Sequence, residues 1–122
     1  MRPPSLAPAY AALFPILVDV AREKGYALAL HGSMQRDLDL VAVPWIDAAV
    51  GPRELVGALA DCMKWQGPPS DDRVRGPVNK PHGRLGWIIQ LDHGAYIDLS
   101  VMPCNAPAAP VVAPVPGPEA TP

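Results

Sequence analysis

The chain has 122 residues, with ten Lys and Arg against twelve Asp and Glu, a net charge of −2. That length suits one domain, and the near balance of charge argues against a general nucleic-acid binder. No apolar run approaches the ~18 residues of a membrane span, and two cysteines, Cys62 and Cys104, are too few for a disulfide framework or an unaided zinc site.

Residues 1–8 form a Pro-rich lead-in, where each Pro also biases its predecessor toward extended backbone. Arg2 is a lone positive charge, and Pro15 and Asp19 break the apolar stretch that follows, so no secretory pattern is read there. A soluble cytoplasmic protein with idle thiols is expected. The folded domain is expected over 9–105. Leu13, Ile16, Leu17 and Val20 recur at helical spacing. They predict a helix from about 9 to 24, with Gly25 just past its end. Pro15 implies either a start near it or a kink.

Tyr26–His31 is a short apolar run that reads as a strand. Ser33–Arg36 turns the chain, and 37–43 reads as the second strand, ended by Pro44. Pro52 opens a second helix with an apolar stripe of Leu55, Leu59, Cys62 and Met63. Residues 67–84 are polar and rich in Gly and Pro, and read as a long loop. Leu85–Leu91 and Tyr96–Met102 read as strands around an Asp92–Ala95 turn. From 106 to 122 the Ala, Pro and Val content predicts a disordered, polyproline-type tail. The expected fold is a small α+β domain, a mixed four-stranded sheet with two helices on one face.

Three acids stand out. By strand alternation Asp37 and Asp39 share one face, roughly 7 Å apart, and Leu38, Leu40 and Ala42 share the other. That separation suits two carboxylates around a divalent cation. Asp98 lies on the last strand on the same face as Tyr96 and Ser100. It can join the pair only if the two strands are neighbours. Crowded carboxylates raise one another's pKa, and a cation relieves this. The bland alternative is a set of exposed acids on a sheet edge. Lys80, His82 and Arg84 form a cationic loop that reads as a phosphate contact or as a solvated surface. His31 and His93 read most simply as strand-end and turn residues. Trp45, Trp65 and Trp87 are more plausible in packing than as base-stacking platforms.

Gly32-Ser33, then Asp37-Leu38-Asp39-Leu40, then Ile97-Asp98-Leu99 resembles the signature of the DNA polymerase β-like nucleotidyltransferase superfamily. The resemblance covers about 9–102. It implies a nucleotidyltransferase-like fold and Mg²⁺ held by Asp37 and Asp39. Asp98 would be the third ligand or the base, and Gly32 and Ser33 would contact the phosphates of a nucleoside triphosphate. Arg36 would stand in for the Arg common after the Gly-Ser pair. The implied activity moves a nucleotidyl group to a hydroxyl on an acceptor the sequence does not specify. The segment between Ser33 and Asp37 is shorter than usual for the family, and no accessory substrate-binding region follows. Those departures motivate an alternative, an inactive interaction protein of the same fold, such as a phage-borne or toxin-neutralising binder.

Overall fold

A computed structural model describes residues 6–63 and 73–103. The expected tail over 106–122, most of the lead-in, Trp65 and Cys104 lie outside the described residues. In chain order the elements are α1 (Ala7–Glu23), β1 (Tyr26–His31), β2 (Leu38–Pro44), α2 (Pro52–Cys62), β3 (Val74–Asn79), β4 (Leu85–Gln90) and β5 (Tyr96–Val101). The strands make one sheet in the order β1-β2-β5-β4-β3. β2 and β5 are parallel neighbours, and the other pairs are antiparallel. The fold class is therefore α+β with a mixed sheet. It has five strands rather than the expected four.

The extra strand is β3, which lies inside the stretch read as a loop. Its sequence, Val-Arg-Gly-Pro-Val-Asn, has no apolar alternation, because almost every residue of it is exposed. It is an edge strand whose ladder to β4 breaks register between Arg75 and Val78. Pro77 is tolerated there because an edge strand need not donate from every residue.

Helix α1 starts at Ala7, ahead of the expected boundary at 9, with a Pro in the first turn where no N–H is needed. It continues through Pro15. The ladder bond lost there would end on the carbonyl of Ala11. Ala11 and Pro15 are both exposed, so water can serve that carbonyl. The buried stripe is Tyr10, Leu13, Leu17 and Ala21. Ile16, expected within it, is 44% exposed. α2 buries Leu55, Val56, Leu59 and Ala60.

Both helices pack into one core cluster with Leu38, Leu40 and Ala42 of β2, Ile97, Leu99 and Val101 of β5, and Trp87 and Ile89 of β4. These strand residues alternate with Asp39, Val41, Asp98 and Ile88, which are only half-buried. The helices therefore cover one face of the sheet, and the acids belong to the other. Arg73, just before β3, is buried, and its guanidinium donates to the carbonyls of Met63 (3.4 Å) and Ala60 (3.3 Å). A cation there caps the C-terminal end of α2, where orphan carbonyls and the negative end of the helix dipole lie. No helix among the described residues is long and apolar enough to cross a membrane.

Candidate functional site

The parallel pairing of β2 with β5 sets Asp39 directly beside Asp98. Antiparallel pairing of β1 with β2 sets His31 opposite Asp39, and β4 sets Ile88 opposite Asp98. One row across the open face therefore reads His31, Asp39, Asp98, Ile88. Asp37 does not lie on β2, which begins one residue later at Leu38. The expectation that strand alternation alone pairs Asp37 with Asp39 is corrected to this extent: the turn before β2 delivers Asp37. A carboxylate oxygen from each of Asp37, Asp39 and Asp98 nevertheless lies within 4.8 Å of the other two.

Burial and crowding both bear on Asp39. Burial raises the pKa of Asp39 above 3.8. A hydrogen bond that protonated Asp39 gives to Asp37, and the charges of Asp37 and Asp98, add to the rise, while His31 opposes it. The same charges reach Tyr96, whose phenol is raised above 10.0, chiefly by Asp37. Tyr10 is raised by burial, so its phenol keeps its proton.

The backbone around the acids is close. Gly32 has φ +83°, and a Cβ on it would stand 2.8 Å from Oδ2 of Asp39. The positive φ favours glycine there, and any Cβ would make the Asp39 carboxylate shift. Ser33 uses its hydroxyl within the turn, accepting the N–H of Gln35 at 3.3 Å. Arg36 is exposed, and its carbonyl accepts a hydrogen bond from the Tyr10 hydroxyl.

Two of the three cationic loop residues reach the site. Lys80 and Arg84 flank a single 3₁₀ turn, Pro81–Gly83, closed by the Lys80 N–H to the Arg84 carbonyl at 3.0 Å. The Lys80 side chain lies where a Cβ on Gly86 would stand, so the missing side chain leaves it room on the sheet. Arg84 donates from Nε to the carbonyl of Pro81 (3.0 Å) and from Nη1 to Oγ of Ser100 (3.3 Å). Lys80, Arg84 and Ser100 line a groove of about 240 Å³ with His31, Asp39 and Asp98. His82 occupies the exposed apex of the turn, at φ 67°, and does not line that groove.

His31, Ser100, Tyr96 and Tyr10 are the site neighbours that the sequence reading left unassigned. Alternation already placed Tyr96 and Ser100 on the face of Asp98, which was the available signal. His31 carried only its place just before the Gly-Ser turn and the acids, and Tyr10 carried none, because its position follows from helix docking. A larger hollow of about 430 Å³ lies elsewhere, between α1 and the β4–β5 turn. Its lining is mostly apolar, with Asp92 and His93 at the rim, and it gathers no comparable set of charged groups.

In chemical terms the site offers three convergent carboxylates beside two cationic side chains on an open sheet face. No family model, curated protein or solved structure matches the chain.

Proposed function

We propose that the chain is a Mg²⁺-dependent, nucleotidyltransferase-like protein that moves a nucleotidyl group from a nucleoside triphosphate to a hydroxyl acceptor, forming the acceptor O–Pα bond as the bond from Pα to the bridging oxygen breaks and pyrophosphate leaves. The observation that carries this reading is the convergence of Asp37, Asp39 and Asp98 to within 4.8 Å. The donor set fits the ion. Mg²⁺ is a hard cation that takes carboxylate oxygens and keeps several waters, and the half-buried acids leave room for both. Burial, and after it the neighbouring carboxylates Asp37 and Asp98, raise the pKa of Asp39, a cost to its charged form that a bound cation would offset.

Asp37, Asp39 and Asp98 would hold the ion. When bound, it would neutralise phosphate charge and make a hydroxyl easier to deprotonate. The chain's own contribution is to place groups. Lys80 and Arg84 offer N–H donors to phosphate oxygens, with Arg84 steadied by Pro81 and Ser100. Gly32 lets the backbone approach Asp39. Whichever of the three carboxylates is not fully engaged can accept the proton of an attacking hydroxyl.

Calorimetry with Mg²⁺ and a panel of nucleoside triphosphates tests the reading. Mg²⁺-dependent triphosphate binding that disappears in Asp39→Asn supports it; a chain that binds neither sinks it. A second reading, a non-catalytic binding protein of the same fold, is favoured by the short turn, in which only Met34, Gln35 and Arg36 separate Ser33 from Asp37. Under that reading, binding to a protein partner survives the double change Asp37→Asn with Asp39→Asn.

A further inference from the structure

We propose that Tyr10 is a positioning residue for the carboxylate site, acting from the covered face by fixing the turn that delivers Asp37. The three acids are not held alike. Asp39 and Asp98 are paired in the β2–β5 ladder, and the register of two strands fixes them. Asp37 precedes β2 and has no place in that ladder. Its backbone is placed by the turn from Gly32 to Arg36, and its carboxylate then meets the Asp39 carboxyl and the Tyr96 phenol.

Among the described residues, three side-chain or backbone bonds reach that turn, from within it, from α1 or from Leu6, the residue just before α1. The N–H of Leu6 donates to the Gln35 carbonyl at 3.3 Å, and the N–H of Gln35 donates to Ser33 Oγ at 3.3 Å. The third is the shortest: the Tyr10 hydroxyl donates to the carbonyl of Arg36 at 2.8 Å. The same oxygen accepts the N–H of Tyr96 at 3.1 Å. A phenol has one proton, and the Tyr96 carbonyl at 3.4 Å is the poorer target for it.

One buried atom thus ties the residue before Asp37 to the residue two before Asp98. Tyr10 itself is 1% exposed and cannot drift. Removing its oxygen leaves the Arg36 carbonyl and the Tyr96 N–H without this partner and frees Asp37 relative to Asp98. The core contact of the ring would remain.

The test uses Tyr10→Phe, which keeps the ring. In metal-free protein, amide exchange at residues 37 and 38 should quicken about tenfold, the scale of one partly buried hydrogen bond, with Leu17 and Leu99 unchanged. Mn²⁺ affinity by calorimetry should weaken by a similar factor. In an Asp37→Asn background, Tyr10→Phe should cause no further loss, a non-additivity that a general structural defect would not produce. Unchanged exchange at 37 and 38, or equal losses of affinity in both backgrounds, overturns the proposal.

Only the affinity readout rests on the metal reading. If the wild-type chain binds no Mn²⁺, that reading fails and exchange at 37 and 38 alone decides the role of Tyr10. Should Tyr10→Phe not fold, magnetic resonance of the wild type decides instead. A slowly exchanging Tyr10 hydroxyl proton close to the Tyr96 amide is expected, and a freely exchanging one rejects the clamp.

Discussion

The two faces of the sheet are made from alternate residues of the same strands, yet they do different work. On β2, Leu38, Leu40 and Ala42 are buried under the helices, while Asp39 and Val41 between them remain half-exposed. On β5, Ile97, Leu99 and Val101 answer them on one side, and Tyr96, Asp98 and Ser100 on the other. The covered face accounts for the cohesion of the domain. The open face collects like charges whose mutual repulsion works against that cohesion. Cohesion and the crowded acids are thus separated by a single step along the chain, and a substitution should be read by the face it falls on.

The largest effect should come from the covered face. Leu99 is fully buried at the centre of the cluster. Leu99→Ala should lower unfolding free energy by about 2–5 kcal/mol, measured by urea denaturation. It should alter metal affinity only as far as it unfolds the chain. Next comes Asp98→Asn on the open face. Wild-type protein at a hundredfold excess of Mg²⁺ over Kd should gain about 2.7 kcal/mol. Asp98→Asn should lose most of that gain, while its metal-free melting temperature holds or rises. A large metal-free loss would break the comparison. Gly32→Ala should cost roughly 1 kcal/mol through its positive φ, and should also weaken Mg²⁺ binding by crowding Asp39. Paired thermal and calorimetric titrations would separate the two contributions.

The smallest effect is a pH dependence. The folded pKa of Asp39 is raised above its ordinary value of 3.8. Between those two values the folded chain holds a proton that the unfolded chain has released. Stability therefore falls as pH rises through that window, and at neutral pH the ionised carboxylate destabilises in full. Asp39→Asn removes the dependence. Metal-free melting curves of variant and wild type should agree at the acid end, and the variant should melt higher at neutrality. A wild type that instead gains stability through the window relative to the variant would contradict the crowding of the open face.

Much of this division was legible in the sequence. Leu38-Asp39-Leu40 and Ile97-Asp98-Leu99 carry a period of two that assigns each residue its face. Both helices were readable from their stripes, although Tyr10 and Ala21 replaced Ile16 and Val20 at the core of α1. What could not be read was whatever depends on distant neighbours. β3 has no periodic signal, because an exposed edge strand has no buried side to mark it. Lys80 and Arg84 belong to the groove because β4 lies beside β5, whereas His82, between them in sequence, turns away at the apex. The reach of Tyr10 to Arg36 and Tyr96 spans 26 and 86 residues, and only the docked helix reveals it.

Arg73 has a consequence for how this chain tolerates change. Its guanidinium grips the last carbonyls of α2 from the residue that leads into β3. The clasp holds Met63 and Arg73, ten positions apart in the chain, at one helix end. A substitution at Arg73 therefore acts on two elements at once, leaving the Ala60 and Met63 carbonyls without this donor and the entry into β3 untied.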